Sequence, residues 1–302
     1  MDSSAQSPES PPSIVVGVDS SEPSELAARW AGRTASQRGW RLRIVHGYNL
    51  AAARTLTGVY YQMERPVLEA AYRRGNDCVE HARSLALQIA PSLKVETELS
   101  DAEPARLLVE ESASAELTVI GASGEGSTLA HLGSTLLAVT SHGHGKVVVV
   151  RGHGPESGMG RERPVVVGLD GTSASHAAAA AAFAEADLMR APLVALHAWH
   201  DLRFHWFAGM PEIVDDPDIA AAAEAQLSEW LAEWTEKYPD VEVINKIYLA
   251  GPDLHLIDWS KSAQLVVVGS RGRGGFHGLL MGSTSNIIVQ RAHCPVLVAH
   301  QT

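Results

Sequence analysis

The chain has 302 residues, 45% hydrophobic and 20% charged, with a formal net charge of −11. That is long enough for two ordinary domains and typical of a globular protein, which excludes a disordered or fibrous one. Both halves are acidic, with 14 basic against 17 acidic residues through residue 152 and 10 against 18 beyond it. Nucleic acid and anionic membrane surfaces are therefore disfavoured as partners.

Residues 1–13, rich in Ser, Pro and Glu, lack a basic stretch followed by an apolar one and are expected to be a solvated tail. The first strand is Ile14-Val-Val-Gly17-Val-Asp19, and Ser21-Glu-Pro-Ser opens a helix that ends near Gly39. Leu42 to His46 is the second strand, Leu117 to Ile120 a buried one, and Lys146 to Arg151 the last of this half. Two cysteines, Cys78 and Cys294, one per half, argue against a disulfide scaffold and for a reducing cytoplasm.

After the Gly-rich stretch 152–163, the natural linker, the same plan returns at an offset near 150 residues. Val165-Val-Val-Gly168-Leu-Asp170 repeats the first strand, Leu193 to His197 the second, and Pro295 to His300 the last. Asp101-Ala-Glu-Pro104 returns as Ala250-Gly-Pro252. Thr172-Ser173 opens an alanine-rich helix through Met189, and Asp218 to Tyr238 is a helix with Leu227, Trp230, Leu231 and Trp234 on one stripe. Strands such as Val165–Leu169 and Leu265–Val268 are apolar without alternation, as expected where helices cover both faces of a sheet. Each half, 14–151 and 164–302, is therefore expected to be a Rossmann-like, doubly wound α/β domain with a parallel sheet of about five strands. No apolar run approaches membrane-spanning length.

The chemistry concentrates in a glycine loop. After the strand at 265–268 come Gly269-Ser270-Arg271-Gly272-Arg273-Gly274-Gly275, then Gly282-Ser283-Thr284 at the start of the last helix. Glycines there let backbone lie against a ligand, and the helix start offers N–H groups, a dipole and two hydroxyls to phosphate oxygens; Arg271 and Arg273 add positive charge. The bland alternative is a Gly-rich surface turn. The dinucleotide fingerprint does not fit, because the sixth position counted from Gly272 is His277, and a Walker A loop is absent. The first half carries an eroded twin, Gly121-x2-Gly124 with Gly126, then Gly133-Ser134, in which the second spacer is one residue short. Where the second loop has Arg271 and Arg273, the first has Ser123 and Glu125. At an effective dielectric near 20, a unit charge about 6 Å from a phosphate charge is worth roughly 2–3 kcal/mol, attractive for a guanidinium and repulsive for a carboxylate, and about one after solvation.

Val-Gly168-Leu-Asp170, Gly269-x2-Gly272-x9-Gly282-Ser283 and Cys294-Pro-Val-Leu-Val, in this order, resemble the universal stress protein family, and more narrowly its tandem-domain, ATP-binding actinobacterial members. The resemblance spans residues 14–300. It implies an adenine nucleotide across the carboxyl ends of the strands, bordered by Gly168 and Asp170. The backbone of Gly269 to Gly275 would hold ribose and phosphates, Gly282 to Thr284 the distal phosphates, and the peptide after His197 the adenine; Mg2+ would accompany ATP. In the first half Gly17, Asp19, Gly121, Gly124, Gly126, Gly133 and Ser134 survive, which points to weaker binding there. The resemblance also implies that the strands 146–151 and 295–300 pair, making the two halves an internal pseudo-dimer, with a homodimer of chains and a regulatory protein partner as further expectations.

Other signals are weaker. His197, His200 and His205 with Asp201 are interleaved with Trp199, Phe204, Trp206 and Phe207, which favours an aromatic flap near the adenine over a zinc site. His142 and His144 sit in a glycine-rich turn, and Cys294 is expected to be a buried small residue. A cytoplasmic ATP-binding regulatory protein is the leading reading. An ATP-hydrolysing or phosphoryl- or nucleotidyl-transferring enzyme is the alternative, with no Walker lysine or evident base to support it.

Overall fold

The computed structural model describes residues 11–51, 61–122, 133–151, 163–200, 217–272 and 281–301. The first half contributes β1 (Ser13–Gly17), α1 (Glu22–Arg38), β2 (Arg41–Gly47), α2 (Tyr61–Ile89), β3 (Val95–Ser100), α3 (Pro104–Ser112), β4 (Leu117–Gly121), α4 (Ser134–His142) and β5 (Lys146–Val150). The second contributes β6 (Val165–Leu169), α5 (Ser173–Met189), β7 (Leu193–His200), α6 (Pro217–Lys237), β8 (Val243–Ala250), α7 (Pro252–Ser260), β9 (Leu265–Gly269), α8 (Ser283–Arg291) and β10 (Val296–Ala299).

Local chemistry sets the helix ends. Ser21 caps α1 by accepting from Ser24 N at 3.4 Å, and Thr172 caps α5 by accepting from Ser175 N at 3.2 Å. Gly39 closes α1 in the left-handed region at φ 66°; Arg190 closes α5 at φ 50°, where a Cβ is unfavourable.

Within each half the strands are parallel, in the order 3-2-1-4-5, and the halves meet through β5 and β10. That central pair is antiparallel, Val296 opposite Val149 through Ala299 opposite Lys146, so one ten-stranded mixed sheet runs through the molecule. Two hydrophobic strands that would be exposed edges are thereby covered by each other. The outer edge β3 is half-buried and carries Glu96 and Glu98, paired with Arg41 at 2.9 Å and Arg43 at 3.0 Å, charges that discourage pairing with another chain.

Non-alternating strands are buried on both faces, as the sequence predicts: β9 and β10 are buried throughout. One face packs under α1, α2, α5 and α6, with Trp30, Phe183, Leu227 and Leu231 in its core; Trp230 and Trp234 lie partly buried against it. The other packs under α3, α4, α7 and α8 around Leu107, Leu136, Leu256 and Ile288. Side-chain contacts also join the halves. Arg38 of α1 meets Glu185 of α5 at 2.5 Å with both side chains 3% exposed. Arg151, just after β5, donates to the carbonyls of Val289 at 2.7 Å and Ala292 at 3.3 Å at the end of α8, where a cation complements the helix dipole.

Candidate functional site

The carboxyl ends of β6 and β9 diverge where the strand order reverses, the place at which open α/β sheets leave a crevice. A 250 Å³ cavity opens there, lined by segments far apart in sequence: Gly168 to Asp170, Leu196 and Ala198, Pro252, Asp253 and Leu256, Gly269, Arg271 and Gly272, and Gly282 to Ser285. Their convergence follows from the topology, since β6, β7 and β9 all end at this edge.

Close packing explains the glycines. A Cβ on Gly168 would stand 2.9 Å from Leu256 Cδ1, and one on Gly269 only 2.7 Å from the Ala174 carbonyl at the start of α5. A Cβ on Gly272 would stand 2.7 Å from Asp170 Oδ2. Asp170 cannot yield freely, because its Oδ1 accepts from Thr172 N at 3.0 Å and Thr172 Oγ1 at 2.6 Å, tying it to the cap of α5. Gly282 is the N-cap of α8 and carries no side chain to bond the first turn, and residues 282–285 line the cavity at the positive end of the helix dipole. Its own N–H donates to Ser270 O at 2.9 Å, and Ser285 Oγ donates to Gly269 O at 2.6 Å, fixing the helix start against the end of β9.

Of the residues expected from the sequence, Gly168, Asp170, Gly269, Arg271, Gly272, Gly282, Ser283 and Thr284 come together around this cavity. Ser270 is buried beside the cavity, its N–H donating to Ala299 O at 2.9 Å and its carbonyl accepting from Gly282, so it holds the loop. Arg273, Gly274 and Gly275 lie outside the described residues, as do His205 and most of the proposed aromatic flap. Sequence reasoning missed Asp253, 94% buried in the first turn of α7, and the apolar wall of Leu196 and Leu256. The repeated Pro104 and Pro252, each opening a helix at the end of a strand, were the signal for that wall.

The first half holds a 240 Å³ counterpart lined by Gly17, Asp19, Gly121, Gly133 and Ser134, with Ser21, His46, Pro104 and Leu108. Gly133 caps α4 without a side chain, as Gly282 caps α8. Asp19 Oδ1 accepts from Ser21 Oγ at 2.5 Å, repeating the Asp170–Thr172 arrangement. Gly124 and Gly126 lie outside the described residues. Among the described lining residues there is no lysine or arginine here, whereas the second cavity has Arg271.

A tandem pair of Rossmann-like domains, each with a glycine-capped helix start facing a crevice, defines the class. The universal stress protein family model matches residues 12–151 and 162–300. A universal stress protein of Mycolicibacterium smegmatis is 38% identical over 297 residues, covering 94% of this chain and 96% of its own length. One of Mycobacterium tuberculosis is 36% identical over 297 residues, covering 96% of each. The crystal structure of a universal stress protein from Archaeoglobus fulgidus superposes with a TM-score of 0.69 at 16% identity, over 96% of this chain and 98% of that one, a likeness of fold. The chain belongs to the universal stress protein family and carries two of its domains in tandem.

Proposed function

We propose that the protein is a cytoplasmic ATP-binding regulator whose tighter nucleotide site is the cavity of the second half. One observation carries this: three separate motifs meet at the side-chain-free N-terminus of α8, with Arg271 beside it. Phosphates fit the open N–H groups of residues 283–285, ribose the Gly272 backbone beside Asp170, and adenine the apolar wall of Leu196, Ala198 and Leu256. Mg2+ would be carried on the phosphates, with Asp170 the carboxylate nearest the loop. Among the described residues no group of three or more His, Cys, Asp or Glu side chains could hold a metal by itself. Occupancy would act on a regulatory protein partner by stabilising one arrangement of the loops over another, to the extent that ATP binds the two unequally. A homodimer of whole chains is part of the same proposal.

Calorimetry of ATP on the full chain tests it with Gly282→Ala, Gly282→Glu and Gly133→Glu. A Cβ on Gly282 meets its nearest atom, Gly272 N, at an ordinary 3.4 Å, so alanine fits and the wild-type affinity should be nearly kept. Glutamate sets a carboxylate against phosphate, worth about 2–3 kcal/mol at 6 Å, or roughly 30- to 150-fold in Kd. Gly133→Glu should remove a second, weaker phase only. Unchanged affinity in Gly282→Glu would sink the assignment, and efficient ATP turnover would replace the regulatory reading with an enzymatic one.

A further inference from the structure

The second crevice holds a buried carboxylate that the first lacks at the same place. Asp253 lines the 250 Å³ cavity, is 6% exposed and sits in the first turn of α7. In the first half Ala105 follows Pro104 as Asp253 follows Pro252, and Ala105 is buried outside the lining of the 240 Å³ cavity. The fold does not need the acid, since α3 starts with no acidic residue in its first turn. Nor does the start of α7 need it. Pro252 has no N–H to satisfy, and the N–H groups of Leu254 and His255 donate to Gly251 O at 3.0 and 3.3 Å. Taking a carboxylate out of water is costly, and at a helix start an exposed one would serve as well.

Topology sets this carboxylate at the end of the cavity away from α8. Arg271, Gly272 and the start of α8 all follow β9. Asp253 follows β8, three residues after Ala250, which pairs with His200 of β7. In the sheet order β9-β6-β7-β8 the two strand ends are three strands apart. Neighbouring strands stand about 4.8 Å apart, so even β9 and β7 are about 10 Å from each other. On α7, Asp253 and Leu256 are three residues apart and share a face. Leu256 reaches under Gly168 of β6, 2.9 Å from where a Cβ would stand. Asp253 is one turn nearer the carboxyl ends of the strands. It therefore borders the apolar wall of Leu196, Ala198 and Leu256, on the margin opposite Arg271.

We propose that Asp253 selects the nucleobase in the second crevice by accepting a hydrogen bond from its exocyclic amino group. The inference rests on the nucleotide reading above and adds which base the apolar wall admits. A carboxylate only accepts, with room for about four hydrogen bonds, so partners within the protein leave capacity for a ligand. The C6 amino group of adenine donates. The oxygen at the same place in hypoxanthine only accepts, and it would set lone pairs against lone pairs. A site built to receive a donor rejects the analogue that lacks it, because a buried acceptor then loses its partner. Ala105 offers nothing of the kind, so the first crevice should tell the two bases apart less well.

Calorimetry on the full chain at neutral pH tests it with ATP, ADP and inosine triphosphate, read at the tighter phase. Wild type should bind ATP at least ~20-fold more tightly than inosine triphosphate. In Asp253→Asn the amide can present either an oxygen or an N–H, so this preference should fall below ~3-fold. The ratio of ATP to ADP affinity should stay as in wild type, because the carboxylate is remote from the phosphates. Asp253→Ala, which copies residue 105, should lose the preference too, with circular dichroism confirming the fold of both variants. A purely structural role for Asp253 would leave the preference where it was. Equal wild-type affinity for ATP and inosine triphosphate, or a preference unmoved by Asp253→Asn, would overturn the proposal. A shift in the ATP-to-ADP ratio would place the carboxylate beside the phosphates and overturn it as well. ATP bound without preference refutes the role of Asp253 alone, whereas no ATP binding at all refutes the nucleotide reading and the proposal with it.

Discussion

Glu185→Gln is the sharpest test of how the two halves are held together. Arg38 and Glu185 come from different repeats, meet at 2.5 Å and are each 3% exposed, so neither charge has water in place of its partner. Burying an ion pair gains little over an apolar pair of the same size, but removing one member leaves a buried charge uncompensated at about 3–5 kcal/mol. Gln keeps the volume and one acceptor, and Arg38 retains the face of Trp40 at 4.9 Å, a contact worth about 1 kcal/mol, so the lower end near 3 kcal/mol is expected. Replacing both residues, Arg38→Met with Glu185→Leu, should return to within about 1 kcal/mol of wild type, a coupling of several kcal/mol between residues 147 apart in sequence. Urea unfolding followed by circular dichroism on Glu185→Gln and on the four chains of the Arg38→Met, Glu185→Leu cycle measures it. A loss under about 1 kcal/mol for Glu185→Gln, or a double variant as weak as the sum of the single ones, would show that the pair is not buried as described.

Gly171→Ala and Gly39→Ala separate backbone strain from collision. Both glycines have φ near 70°, but Gly39 has open space where a Cβ would go and Gly171 has the Trp230 indole. Thermal unfolding should show a loss of about 1–2 kcal/mol for Gly39→Ala and about 2–4 for Gly171→Ala; equal losses would contradict the placement of Trp230. His300 predicts a pH dependence. Burial, then the charges of His144, Arg271 and His142, hold it down to about 4, against 6.5 for an ordinary histidine. The folded state thus binds fewer protons at this site than the unfolded one. Stability is complete above about pH 6.5, falls as pH drops below it, and the loss is finished near pH 4, amounting to about 3 kcal/mol. Urea midpoints between pH 4 and 7 should show a slope that His300→Gln flattens; an unchanged slope would refute the assignment.

Much of this fold was legible because its signals are local. Runs such as Leu265 to Gly269 and Lys146 to Val150 lack alternation, which only burial on both faces explains, and the caps at Ser21 and Thr172 mark helix starts by their own hydrogen bonds. The crevice was half legible. Gly168, Gly272 and Gly282 are conspicuous as residue types, yet the residue that excludes a Cβ at Gly168 is Leu256, which looks like any core leucine in the sequence. Asp253 and the Arg38–Glu185 pair were not legible, since a single carboxylate signals nothing until a distant element is placed beside it. Pairing of β5 with β10 was expected; its antiparallel sense belongs to the two-fold relation of the halves and has no local signature.

The same reasoning explains why duplication left unequal halves. A shared backbone fixes what both crevices must keep: glycine at the ends of β1, β4, β6 and β9, and a side-chain-free helix cap at Gly133 and Gly282. Residues that touch the crevice only by their far ends are free to diverge. At the left-handed position after the first aspartate the second half keeps glycine and fills the space with Trp230. The first half accepts the strain of Ser20 there instead. A strained residue whose glycine alternative is present 151 positions later in the same chain is not required by the fold.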